Sequence, residues 1–248
     1  MSLARGDRSL QEELDWAVAR LDKAGFKVKS KVRLLVDPKL EIMGYANEEG
    51  GVQHIVISDW ALHSEMLGGL ILHELAHIYH AEKRSPSHKP KLTNALITEF
   101  AETEGLNSRE TGYLVEAFSH LQNVMVDDIV FAAMEESERI QVKGFFAGWV
   151  TDAPSGYALS DAAAMVRNAF AVASLRRHDL LTEEFAARGK RLAEQLGKRA
   201  EEEYAALQDF LAEADPYMDG ETFQDALTAY LELLLSLLRE GDQAEALR

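Results

Sequence analysis

Apolar and polar residues alternate along residues 26–37, FKVKSKVRLLVD. The apolar side of this pattern consists of Val28, Val32, Leu34 and Val36. The opposite side consists of Lys27, Lys29, Lys31 and Arg33. A period of two residues predicts a strand with one face buried and the other in water.

Two more strand-like segments follow, EIMGYA at residues 41–46 and VQHIVIS at residues 52–58. The intervening NEEGG is rich in turn-forming residues, so we predict a β-hairpin. Residues 9–24 have the periodicity of an amphipathic helix. A further helix is expected after residue 58, because Ser58 or Asp59 is a suitable N-cap. The loop RSPSHKP, residues 84–90, would end it.

The rest of the chain is predominantly helical in pattern. We predict helices at about residues 91–104, 108–138, 160–178, 181–212 and 220–240, with the main interruption at residues 144–156. The expected fold class is α+β: a small mixed or antiparallel N-terminal sheet, then a helical C-terminal part. The predicted boundary lies at residue 90, with residues 1–90 and 91–248 forming one compact unit.

The amino-acid composition limits the kinds of functional site and partner that we expect for this chain. The chain has 248 residues, 47% of them apolar and 27% charged, as in soluble globular proteins. It contains no cysteine, so His, Asp or Glu must hold any metal. The net charge of −16 argues against nucleic-acid binding. No apolar run is long enough for a membrane span, and the N-terminus does not resemble a signal peptide, so we expect a cytoplasmic protein without a membrane partner.

The segment LILHELAHIYH carries the candidate chemistry. His73 and His77 are four residues apart, which places them on one helix face within reach of a single zinc ion. Glu74 is rotated by about 100° from His73, where it can act on a water at the metal as a general base. The apolar neighbours indicate a largely buried helix, and buried histidines and carboxylates need partners.

This segment resembles the active-site helix of zincin metallopeptidases. VQHIVIS resembles the edge strand that pairs with an extended substrate in zincins, and the helices that follow resemble the helical half of gluzincin-type enzymes. The metzincin continuation is absent, since positions 80 and 83 are His and Lys, and the thermolysin-type N-E-x-x-S-D string is absent too. The resemblance implies a Zn²⁺ cofactor and a peptide or protein substrate.

A third zinc ligand is required if one coordination position is to stay open. His80 is about 10.5 Å along the helix from His73, too far to share one ion. His120, Asn123 and Asp127 project within one sector of the helix predicted at residues 108–138. Their spacing resembles the third-ligand helix of gluzincin-like families, in which an acid binds the metal. Asp127 is therefore the expected ligand; the alternatives are Asp128, Glu99 and Glu102.

An oxyanion donor completes the expected site, and in such enzymes it is often Tyr or His. His120 is the selected catalytic candidate beside Glu74, with Tyr113 and Tyr157 as alternatives. The sequence thus predicts a zinc-dependent peptide hydrolase. The alternative is a non-catalytic, zincin-like interaction protein with a structural metal or none. The sequence does not specify the oligomeric state.

Overall fold

The computed structural model describes the backbone of residues 9–246 and the side chains of residues 9–239. It confirms the α+β class, since a three-stranded sheet near the N-terminus is followed by helices. The elements of the sheet region are α1 (Leu10–Lys23), β1 (Val32–Asp37), β2 (Gly44–Glu49), β3 (Val52–Ser58), α2 (Asp59–Leu62) and α3 (Leu67–Glu82). After a 3-10 turn at Pro86–His88 come α4 (Pro90–Thr103), α5 (Ser108–Ala133), α6 (Glu136–Trp149), α7 (Ala158–Arg177), α8 (Glu183–Leu196), α9 (Lys198–Glu213) and α10 (Gly220–Ala246).

The sheet has the strand order β1-β3-β2. β1 is parallel to β3, and β2 is antiparallel to it. The predicted hairpin is confirmed: β2 and β3 are joined by Gly50 and Gly51, whose φ values are +59° and +77°. Positive φ at both central residues is the requirement of a type I′ turn, which glycine meets without strain.

The described chain divides into two compact units. The first contains residues 9–84 and 129–135, so it holds the sheet, α1, α3 and the end of α5. Its core lies between α3 and the sheet and includes Ile55, Ile57 and Ile71, which are fully buried. The second contains residues 85–128 and 136–246 and is helical. Its central helix is α7, which packs against α8, α9 and α10.

Three sequence-based expectations about elements were wrong. Ser58 caps the short α2, and α3 begins separately at Leu67. α5 ends at Ala133, and α6 continues to Trp149, inside the predicted interruption. The helix expected over residues 181–212 is broken at Gly197, whose φ of +120° an L-residue rarely adopts.

The strand VQHIVIS was expected at the edge of the sheet, and this is also wrong. β3 is the central strand, paired with β1 on one side and β2 on the other. Its consecutive buried residues are Ile55, Val56 and Ile57. An apolar run of this kind predicts a buried strand but not its place in the sheet, which depends on the pairing with β1 and β2. Over the described residues, no helix is both long and apolar enough to cross a membrane.

Candidate metal site on helix α3

α3, which carries His73, Glu74 and His77, is fixed at both ends. At its start, a Cβ on Gly68 would lie 2.9 Å from Cζ3 of Trp16, so only glycine lets α1 approach this closely. At its end, the Glu82 carboxylate accepts hydrogen bonds from the backbone amides of Lys29 (2.9 Å) and Ser30 (2.7 Å). These contacts set the position of α3 in the first unit.

The two motif histidines face each other. Nε2 of His77 lies 3.2 Å from Nε2 of His73. Two nitrogens bound to one tetrahedral zinc ion at about 2.0–2.1 Å each would be about 3.3–3.4 Å apart. Both imidazoles are half-buried, so the protein partly shields the pair and solvent can still reach it. The spacing therefore fits two ligands of one zinc ion, as well as a hydrogen bond between a neutral donor and a neutral acceptor.

Glu74 lies on the inner side of α3, with only 6% of its surface exposed. Burial raises the pKa of its carboxyl group; the charge of His73 and a hydrogen bond from the Ala46 backbone amide lower it, but by less. The net direction is upward. A carboxylate with a raised pKa is a stronger base near neutral pH, which suits proton transfer.

The position of Ala46 in the sheet explains why its amide is available to Glu74. Ser58 N donates to Met43 O at 3.0 Å, so these residues form a hydrogen-bonded antiparallel pair. Such pairs alternate along the ladder. Tyr45 and Asn47 therefore bond to β3, whereas Ala46 directs its N–H and C=O away from it. β2, not β3, thus presents outward-pointing backbone groups beside α3, and the local sequence pattern had not indicated this.

The expected third ligand and its neighbour have partners within the second unit. Asp127 is 6% exposed and accepts a 2.6 Å hydrogen bond from Oγ of Ser174. Asp128 pairs with Arg177 through both carboxylate oxygens, and Nε2 of His178 lies 3.4 Å from its Oδ1. Asp128 is thus already occupied by a bidentate ion pair. Glu99 and Glu102 lie on the exposed side of α4.

The expected oxyanion donors differ in environment. His120 is buried and stacks on Phe170 with ring centroids 5.1 Å apart; its Nδ1 has no hydrogen-bond partner. Burial, assisted by the charge of Arg167, lowers the pKa of His120 to about 4, so the ring is neutral at pH 7. Tyr113 is buried with its hydroxyl 3.5 Å from the Leu234 carbonyl, and Tyr157 is 71% exposed at the start of α7.

Within the part of the chain that the structure describes, no group of three or more His, Cys, Asp or Glu side chains is arranged to hold a metal ion. The structure brings His73 and His77 together as predicted. The assignments of Asp127 as third ligand and His120 as donor stay predictions. His80, which is 2% exposed, packs edge-on against Tyr79, in keeping with a structural role near the end of α3.

Fold and site together define an α+β protein with a His-Glu-His helix packed beside a small mixed sheet. The chain belongs to DUF5781, a family of unknown function, whose match covers residues 19–210. Comparisons with curated proteins and with solved structures gave no match. The family match includes α3 and most of the helical unit, so both belong to the family's shared region.

Proposed function

We propose that this protein is a zinc-dependent metallopeptidase. The observation that carries the proposal is the 3.2 Å separation of the two Nε2 atoms of His73 and His77 beside the buried Glu74. His73 and His77 would bind the ion, with Asp127 as the expected third ligand. Zinc bound there would supply a Lewis acid that lowers the pKa of water at the ion to about 7.

The residues of the chain account for the remaining chemistry. Glu74, with its raised pKa, accepts a proton from the attacking water and passes it to the leaving amine. His120, neutral at pH 7, can donate one N–H to a developing oxyanion. Extended peptide backbone would pair with the outward C=O of Ala46 on β2, whose N–H already bonds to Glu74, in place of the β3 edge expected from the sequence. A peptide or protein substrate in the cytoplasm is the expected target.

A hydrolysis assay with Glu74→Gln tests this proposal. The substitution keeps the size of the side chain and removes the proton acceptor, so cleavage of labelled casein should fall by about 10²–10⁴-fold while bound zinc is unchanged. Glu65→Gln is the matched control, since it makes the same change at an exposed position before α3 and should keep activity. Full activity in Glu74→Gln would exclude Glu74 as the base.

A second function, a non-catalytic interaction protein of the same shape, is favoured by one observation: the described residues contain no preformed group of three metal ligands. In that case His73 and His77 would hydrogen-bond to each other at 3.2 Å without a metal. Metal analysis of the purified protein separates the two functions. Stoichiometric zinc supports the peptidase; protein without zinc that cleaves no peptide after zinc is added supports the interaction protein.

A further inference from the structure

α3 covers one face of the sheet, and the opposite face carries the exposed side chains of Leu35 and Tyr45. A Cβ on Gly44 would lie 3.4 Å from Ile57 Cγ2 and 3.5 Å from Leu70 Cδ2, so Gly44 and Ile57 mark the covered face. Side chains alternate along each strand. The opposite face therefore carries the even-numbered residues of β3 and the odd-numbered residues of β1 and β2.

An apolar row crosses this second face. The strand register places Leu35, Val56 and Tyr45 side by side. Leu35 is 44% exposed and Tyr45 is 38% exposed. Val56 between them is 8% exposed, so the row presents two exposed large apolar side chains on either side of a largely buried one. Clustering of this kind distinguishes a contact surface from ordinary single exposed residues.

Charged residues border the apolar row on one side. Gln53 N bonds to Lys31 O at 3.0 Å, so the ladder continues to Lys31. The row formed there has Lys31 at the β1 side, Val52 in the centre and Glu49 at the β2 side. Nδ1 of His54 lies 3.9 Å from Glu49 Oε2, which places both side chains on this second face. The face is therefore basic along β1 and acidic at the end of β2.

We propose that this second face, defined by Leu35, Val56, Tyr45, Lys31 and Glu49, binds the same face of a second copy of the chain. The two sheets face each other across a twofold axis that is parallel to β3. Rotation about this axis places each row of residues opposite the same row of the second copy, with β1 of one copy opposite β2 of the other. Leu35 then meets Tyr45 of the second copy, and Val56 meets Val56.

The same rotation makes the charges complementary. Lys31 of each copy faces Glu49 of the other, giving two opposite-charge contacts for each dimer. Strands on the two facing sheets stay near parallel, as in aligned sheet packing. The sheet face measures about 20 Å by 14 Å, or about 300 Å² for each copy, which is less than the roughly 800 Å² of a standard stable interface. The dimer is thus weak and depends on concentration.

Sedimentation velocity of the full chain over a concentration series tests this surface. The mass should rise from 27.6 kDa towards twice that value between roughly 10 μM and 1 mM. Leu35→Arg should raise the dissociation constant at least about tenfold. Ile140→Arg is the matched control, because Ile140 is 58% exposed on α6, and it should leave dimerisation unchanged.

Charge reversal is a second test of the proposed dimer surface. Lys31→Glu and Glu49→Lys should each weaken the dimer about tenfold, and the two combined should restore it, because the opposite charges are then exchanged. Circular dichroism checks that each variant is folded. A wild-type chain that stays monomeric throughout, a dimer unaffected by Leu35→Arg, or a double variant as weak as the singles would overturn the proposal. None of these readouts depends on zinc or hydrolysis.

Discussion

At the scale of single residues, the proposed function depends on His73 and His77. Both lie on the same face of α3 because four residues make about one helical turn. The sequence alone predicted this pairing, since it requires only that α3 be helical. It could not predict the hydrogen bond from Ala46 to Glu74, because that contact joins residues 28 positions apart and depends on strand order.

Replacing His73 or His77 by Ala should remove the stabilisation that zinc provides. A ligand at 100 times its dissociation constant stabilises the native state by about 2.7 kcal/mol. For a chain of this length that corresponds to a shift in melting temperature of about 5–10 °C. Thermal unfolding with zinc and with EDTA measures the shift. His63→Ala, which changes an exposed histidine of the same unit, should keep it. An equal shift in melting temperature on adding EDTA to wild type and to His77→Ala would show that zinc does not stabilise the protein through His77.

At the scale of elements, local pattern identified α1, the hairpin and the existence of most helices. It failed where the outcome depends on packing partners. The central place of β3 was missed because a buried strand reads the same at any position in a sheet. The separation of α5 from α6 and the break at Gly197 were missed because apolar spacing continues across them.

Substitution by proline tests the derived strand pairing of β2. Glu48→Pro should leave the sheet intact, because the alternation along the ladder turns the amide of this exposed residue away from β3, and edge strands tolerate proline there. Tyr45→Pro removes an amide that bonds to β3 and should cost about 1–3 kcal/mol of unfolding free energy. Urea unfolding compares the two variants. A larger loss in Glu48→Pro than in Tyr45→Pro would show that the pairing is shifted by one residue.

Glu82, which fastens the end of α3, should make stability dependent on pH. Burial raises the pKa of Glu82, but hydrogen bonds from Ser30 and Lys29, together with the charge of Lys29, outweigh it and lower the pKa below 4.5. A lowered pKa means that the folded state binds its proton later than the unfolded state. The stabilisation is therefore present above pH 4.5 and is lost as the pH falls through the lowered value.

Urea unfolding of Glu82→Gln at a series of pH values measures this contribution. The variant should be less stable than wild type at pH 7, and the difference should shrink below pH 4.5. Glu65→Gln, at an exposed position before α3, is the control and should follow the wild-type curve. A stability difference between Glu82→Gln and wild type that stays constant down to pH 2 would contradict the assignment.

At the scale of the whole molecule, the fold class could be predicted from the sequence, but the identity of the third ligand could not. His73, Glu74 and His77 are close in sequence, so local geometry defines them. A third ligand must come from a distant element, and sequence spacing cannot rank Asp127 against Asp128. The structure distinguishes their surroundings: Asp127 bonds to Ser174, and Asp128 pairs with Arg177.

Alanine substitutions at these two positions should therefore have different effects. Asp127→Ala should reduce zinc binding, as expected for a ligand. Asp128→Ala should keep zinc but destabilise the protein by about 1–3 kcal/mol, because it leaves the largely buried Arg177 without its carboxylate. Zinc titration by calorimetry and urea unfolding measure the two effects. Loss of zinc in Asp128→Ala alone would make Asp128 the ligand, and retention in both would place the ligand elsewhere.

Anomalous diffraction from zinc-soaked crystals tests most directly whether His73 and His77 bind one zinc ion. We expect a zinc peak about 2.0–2.1 Å from Nε2 of both His73 and His77, with an Asp127 carboxylate oxygen at about 2.0–2.2 Å. We also expect the Glu74 carboxylate to lie near the ion without binding it. Crystals soaked in zinc that show no peak between His73 and His77, with their Nε2 atoms still hydrogen-bonded to each other, would contradict the account.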